Sequence, residues 1–429
     1  MFPYLSPHLP VVQVILPLIA APICVIFRRA GFAWLIALIA SWLSLGVSIF
    51  LLEQVISNGP ISYLLGNWPA PWGIEYKVDI LSAFVMLIVT LIGAIVMVFA
   101  PKSVELEIPE DRTYLFYTMY LLTFAGLLGI TITADAFNLF VFLEISSLSS
   151  YVLISLGAKR NALTAAFRYL ILGTVGATFY IIGVGLMYQM TGTLNISDLA
   201  ERIPDVASTK TILISIGFIT VGIGLKLGLF PLHVWLPNAY AYAPSVVTAF
   251  LAATATKVAV YALLRVYFSI FGVDVFSALP IAEFLLILGL IAILSMSTVA
   301  IYQNNTKRLL AYSSVAQVGY MVIGISMLTI TGLTATILHL FNHAVIKGAL
   351  FLALAAVFYR IKSVKVEDMA GLGKAMPYTM AAFVAAGFSL IGVPSTVGFI
   401  SKWYLILGAL EKDWWLVAML IILSSLLAV

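Results

Sequence analysis

The chain has 429 residues, of which 63% are hydrophobic and 9% charged, with a formal net charge of +4. This excludes a soluble globular domain of ordinary make-up, and so modest a charge gives no basic surface for nucleic acid. The single cysteine, Cys24, can form no internal disulfide and there is no CxxC pair for a metal or iron–sulfur centre, so packing is its expected role.

Apolar runs near or above the ~18-residue threshold for crossing a bilayer recur along the whole length. In chain order they cover 11–27, 32–52, 79–100, 114–133, 136–157, 164–190, 211–230, 245–268, 280–303, 308–330, 334–359, 376–410 and 414–429. The chain is therefore expected to be an all-α polytopic membrane protein with about 13–14 transmembrane helices. No Lys or Arg precedes the first run and no small-residue cleavage pattern follows it, which fits a retained helix. The run at 376–410 is too long for one crossing and contains Pro394, so it is expected to break near its middle. The run at 211–230 leads into GLKLGLFPLHVWLPNAYAYAPS, where Pro231 and Pro237 predict a second break. The last run is still apolar at Val429, which gives the expectation of a truncated C-terminus.

Placing the N-terminus outside puts thirteen cations, including Arg28, Arg29, Lys102, Arg112, Lys159, Lys307 and Lys374, on the cytoplasmic side. Lys77, Arg202, Lys210, Arg265 and Lys412 fall on the other side, so the positive-inside rule supports that orientation in a cell membrane. Trp68, Trp72, Trp414 and Trp415 fit interfacial anchoring. Asp79 and Asp135 stand where helices begin and suit the positive end of the helix dipole.

Five charges have no such explanation: Glu144, Lys226, Lys257, Lys347 and Lys402 lie inside apolar runs. Each ionised side chain at a helix centre costs ~2.5–3.5 kcal/mol to insert, so each is a functional-site hypothesis. Glu144, followed by Ser146, Ser147, Ser149 and Ser150, needs a partner among the intramembrane lysines. The competing explanation is a static pair that fixes helix packing. Lys226 and Lys402 each stand beside a proline break, where unpaired backbone is tolerated only against protein or a water-filled cavity. Lys257 lies among Ala and Thr, too far from Pro244 and Arg265 for simple snorkelling to an interface.

His339, His343 and Lys347 recur every four residues and so share one helical stripe. Histidine exchanges protons near physiological pH, which points to a relay; interhelical hydrogen bonding is the alternative. The pair lacks the HExxH glutamate of a metalloprotease, and neighbours on one helix cannot ligate opposite faces of a haem, so no metal or cofactor is expected. GTVGATFYIIGVG offers small residues for tight helix crossings. GLGK at 371–374 lacks phosphate-loop spacing.

FPLHVWLPNAYAYAPSVVTAFLAATATKVAVYALLR resembles the signature of the antiporter-like membrane subunits shared by respiratory complex I and Mrp-type cation/proton antiporters. NTKRLLAYSSVAQVGYMVIG, HLFNHAVIKGALFLALAAVF, EDMAGLGKAMP and GVPSTVGFISKW extend the resemblance from about residue 75 onward. Complex I subunits of this family usually carry a histidine where this chain has Tyr240, which makes it more similar to the Mrp D subunit. The resemblance implies two inverted five-helix repeats, at 111–270 with a break near Pro231 and at 271–429 with a break near Pro394, after N-terminal helices at 1–110. It also implies one further helix after Val429.

The resemblance further implies a proton route: Glu144 paired with Lys226, Lys257 bridging inward, His339, His343 and Lys347 continuing the axis, and Lys402 terminal. Implied partners are the lipid bilayer, protons, Na⁺ and other membrane subunits of one assembly. The expected function is therefore a transporter subunit of a multisubunit Na⁺/H⁺ antiporter and not an enzyme. The alternative is the proton-pumping membrane subunit of a quinone oxidoreductase or membrane-bound hydrogenase. A passive scaffold conflicts with the buried charges.

Overall fold

Hydrocarbon supplies no hydrogen-bond partners, so a chain this apolar must close its backbone bonds internally, and helices do this segment by segment. The computed structural model describes residues 6–429 and is helical almost throughout. Helices α1 (Leu9–Phe27), α2 (Ala30–Asn58) and α3 (Ile80–Glu107) come first. Then follow α4 (Thr113–Ile132), α5 (Ala136–Ser155), α6 (Arg160–Thr191), the short α7 (Ile196–Val206), α8 (Lys210–Leu227), α9 (Leu236–Tyr242) and α10 (Ser245–Leu264). The rest comprises α11 (Gly272–Ser277), α12 (Ile281–Ile301), α13 (Thr306–Ser326), α14 (Ile330–Ile361), α15 (Leu372–Ala375), α16 (Pro377–Ile391), α17 (Val397–Glu411) and α18 (Trp415–Leu427).

Eleven of the described helical segments are long and apolar enough to cross a membrane. The interrupted α16/α17 unit and α18 bring the crossings to the thirteen expected from the sequence. Five consecutive crossings (α4, α5, α6, α8/α9 and α10) precede another five (α12, α13, α14, α16/α17 and α18), and the fourth of each set is interrupted. Because five is odd, the two sets enter from opposite faces.

Two features depart from the expected pattern. The fold is not wholly helical, since β1 (Ile61–Leu64) pairs antiparallel with β2 (Glu75–Val78), aligning Ile61 with Val78. Glu75 ties this hairpin down: it accepts from Ser62 Oγ at 2.6 Å and from Asn195 Nδ2 at 2.8 Å. Residues 191–209, between expected spans, contain amphipathic α7, which buries Ile196, Leu199 and Ile203 along one face. Hairpin and α7 cover the same end of the bundle.

Asp79 caps α3 in a capping box with Ser82, and Asp135 caps α5 by accepting from the Asn138 amide at 2.6 Å. The small-residue run in α6 does what its composition suggests. A Cβ at Gly183 would meet Ile219 Cγ1 at 2.5 Å, and one at Gly222 would meet the Gly176 carbonyl oxygen at 2.7 Å. Gly222→Ile should therefore cost about 1–3 kcal/mol by forcing α6 and α8 apart. Thermal unfolding of the purified protein in detergent checks this; an unchanged midpoint would show that the crossing yields.

Candidate functional site

A buried ammonium has three donors and no acceptor of its own, so each intramembrane lysine must be met by oxygen. Lys226 sits in the last turn of α8, where the helix ends at Gly228 in the left-handed region, with φ +72°. The ring of Pro231 lies in the following turn, while Pro237 opens α9, where its missing N–H costs nothing. The break thus begins at Gly228, earlier than the prolines alone predicted. It delivers Lys226 Nζ to Glu144 Oε1 at 2.8 Å and to Ser147 Oγ at 2.7 Å on α5. The Lys226 side chain is 5% exposed and that of Glu144 21%.

A cavity of about 20 Å³ lies beside this pair, lined by Ser146, Ser147, Ser150, Lys226, Ala255 and Ala259 among others. That is room for about one water. It leads from α5 and α8 to α10, which carries Lys257. Lys257 is fully buried and donates to the Ala252 carbonyl and, at 3.3 Å, to Thr256 Oγ1.

Helix α10 packs on α14, with Ala253 Cβ 3.6 Å from where a Cβ at Gly348 would stand. Adjacent in α14, Lys347 donates to the Leu310 carbonyl at 2.8 Å and to Ser313 Oγ at 3.1 Å. His339 bridges three helices, with Nδ1 2.9 Å from Ser401 Oγ and Nε2 2.8 Å from Gln317 Oε1. The His339 and His343 rings are nearly parallel, with centroids 6.2 Å apart. His343 is 1% exposed, and neither ring nitrogen has a partner among the described residues. A buried polar group in that condition calls for water or a transient partner.

The second break follows Ile391. Gly392 takes φ +88°, and a Cβ there would meet Lys402 Cδ at 3.0 Å, so glycine lets the lysine pass close to the broken end. Pro394 lies in the exposed turn that follows. Lys402 reaches back across the break, donating to the Ile391 carbonyl at 2.8 Å and to Ser425 Oγ at 3.1 Å. Its ammonium lies 4.7 Å from the Tyr320 ring centroid. Asn342 Nδ2 donates to the Val397 carbonyl at 2.6 Å and so ties α14 to the restart of the broken helix.

All seven predicted titratable residues thus lie along the packed interior formed by α5, α8, α10, α14 and α17. Only Glu144 and Lys226 form an ion pair with each other. The sequence did not single out Ser313, Gln317, Ser401 or Ser425, since isolated hydroxyls and amides are common in membrane helices. Lys307 is a correction: expected as a loop cation, it is 4% exposed and donates to the Ala243 carbonyl at 3.2 Å. Its place at the start of α13 beside Arg308 resembled an interfacial cluster. Tyr240 is buried and donates to the Leu251 carbonyl at 3.3 Å.

Residues 133–428 match the family model described as NADH:quinone oxidoreductase/Mrp antiporter, transmembrane. The chain belongs to that family. It is 42% identical over 430 residues to the N subunit of the NADH-quinone oxidoreductase of Desulforudis audaxviator, spanning 99% of this chain and 84% of that protein. It is 32% identical over 430 residues to the D subunit of the Na⁺/H⁺ antiporter of Alkalihalophilus pseudofirmus, spanning 98% of this chain and 84% of that protein. A protein in the structure of the Mrp complex from a Dietzia species superposes with a TM-score of 0.91 at 27% identity, over 99% of this chain and 78% of that one.

Removing one partner of a buried pair strands the other, at a cost of about 3–5 kcal/mol, whereas removing both is far milder. Glu144→Leu and Lys226→Met should each lower unfolding stability in detergent markedly, and the double variant should recover much of the loss. Strictly additive losses would mean that the two residues do not interact energetically.

Proposed function

We propose that this chain is the proton-translocating membrane subunit of a multisubunit antiporter-like complex. The observation that carries this reading is the line of ionisable groups from half-buried Glu144 through buried Lys226, Lys257, Lys347, His343 and His339 to Lys402, with four lysines to one carboxylate. A static packing device needs charges in matched pairs. A route for protons needs sites that alternate between charged and neutral, with hydroxyls, histidines and room for water between them.

In this reading, Glu144 and Lys226 open and close as a pair, so that the proton occupancy of Lys257 changes as Lys226 moves. His343, His339 and Lys347 then carry the proton towards Lys402. Residues 111–270 and 271–429 act as the two inverted repeats after the helices of 1–110. The chain transports and does not itself catalyse a redox reaction; its partners are the bilayer and other membrane subunits of the same assembly. The end of the bundle that carries Lys159, Lys362 and Lys374 faces the cytoplasm across the cell membrane, with the N-terminus outside.

For the complex as a whole, the first reading is exchange of Na⁺ for protons. It is supported by the antiporter relative, the Mrp superposition and Tyr240. The second reading, proton pumping driven by a redox partner, is favoured by the higher 42% identity to an NADH-quinone oxidoreductase component.

Inverted vesicles holding the assembled complex separate these readings. Lys226→Ala and Lys257→Ala should each abolish driven proton movement, and full activity in either, with assembly intact, sinks the axis. A wild-type proton flux that requires Na⁺ supports exchange, whereas one that requires an electron donor and is indifferent to Na⁺ supports the redox reading.

A further inference from the structure

The proposed axis leaves one partly buried ion pair unused. Arg265, in the π turn Arg265–Ile270 that continues α10, is hydrogen-bonded to Asp79 Oδ1 at the start of α3. Its Nε donates to Tyr261 Oη at 2.9 Å, and Tyr261 in turn donates to the Thr131 carbonyl at 2.7 Å. The guanidinium carbon lies 5.0 Å from the centroid of the same ring. Tyr261, Arg265 and Asp79 line a cavity of about 380 Å³ beneath the hairpin and α7, together with Lys77, Ser197, Glu201 and Ser269.

Tyr261 is one helical turn beyond Lys257, a rise of about 6 Å. The sequence Lys257, Tyr261, Arg265 therefore runs along α10 from the centre of the axis to the wall of a large open cavity. The Lys257 ammonium is turned away from that cavity, onto Ala252. π turns inside membrane helices widen the local backbone and recur at functional sites. The side chains of Arg265 and Asp79 are 16% and 28% exposed, so the pair meets cavity water on one side and packed protein on the other. Asp79 Oδ1 takes both Arg265 and the Ser82 amide.

We propose that Asp79 and Arg265 form the gate between Lys257 and the cavity at the hairpin end of the bundle, and that the present arrangement is its closed state. This rests on the proton-axis reading and adds the point at which that axis meets bulk water. Arg265 stays protonated throughout, and its fixed positive charge repels protons arriving from the cavity. To open, Lys257 swings towards Tyr261 and gives up a proton through water. An N–H bond breaks at Lys257, an O–H bond forms on the Asp79 carboxylate, and the amine is left neutral. Protonated Asp79 no longer holds Arg265, which swings aside; Asp79 then loses its proton to cavity water and the pair re-forms.

The test uses inverted vesicles carrying the whole complex. A pH gradient is imposed by diluting vesicles loaded at one pH into buffer at another, without energisation, and the decay is followed with a gradient-sensitive dye. Asp79→Asn keeps an oxygen to cap α3 but loses the charge, and Arg265→Gln loses the plug. Each should make the gradient collapse about tenfold faster than wild type. Adding Lys257→Ala to either should restore the slow decay, and Asp79→Glu, which keeps the pair, should stay tight. If Arg265→Gln fails to accumulate, Asp79→Asn carries the test alone. Wild-type decay in Asp79→Asn, or a leak that persists when Lys257→Ala is added, overturns the gate while leaving the axis standing. Driven transport that survives Lys257→Ala alone overturns the axis, and the gate with it.

Discussion

An ammonium held at membrane depth must be answered by oxygen from the protein itself, and most of what is unusual in this fold follows from answering it four times with one carboxylate. Water cannot make up the deficit in a packed bundle, and lipid offers nothing. Glu144 meets Lys226 directly. The other lysines turn to backbone carbonyls, each helped by a hydroxyl where one is near: Thr256 for Lys257, Ser313 for Lys347 and Ser425 for Lys402. Lys307, buried outside the axis, uses the Ala243 carbonyl in the same way.

The carbonyls used are not all alike. Leu310 and Ala252 lie within continuous helices, where the oxygen already serves the helix and can only be shared. Ile391 and Ala243 stand at the C-terminal ends of α16 and α9, where carbonyls lack an intrahelical partner and the helix dipole is negative. At the α16/α17 break α16 thus presents a negative end to Lys402, and Lys307 meets the far end of α9 in the same way. Breaking a helix in hydrocarbon creates unsatisfied groups, and adding a lysine creates another; at Ile391 and Lys402 each satisfies the other.

The helices and the buried charges were legible because the two signals are one-sided. Long apolar runs have no other fate in a chain this poor in charge, and a lysine inside such a run stands out against it. The four-residue spacing of His339, His343 and Lys347 places them on one stripe whatever the tertiary fold. The partners were not legible, because Ser313, Gln317 and Ser401 acquire meaning only through which helix faces which. Lys307 was misread for a related reason: a cation near the end of a run looks interfacial until the packing shows how far the neighbouring chain covers it. The hairpin was hidden by its length, since four-residue strands beside Trp-rich loops leave almost no alternating pattern.

The uneven distribution of counter-charge also bears on direction. At the Glu144 end a pair can form and break, so charge can be created and cancelled locally. Beyond it, Lys257 and Lys347 stand on packed helices with no carboxylate between them, and like charges in a poorly screened interior repel strongly. Two ammoniums held there without compensation would be expensive, so loading one favours emptying the other. His343, with both ring nitrogens free, lies one turn from Lys347 and can take up what is displaced. On the proposed reading, coupling of this kind would move charge along the axis without accumulating it, and the excess of lysine over glutamate would make the coupling strong.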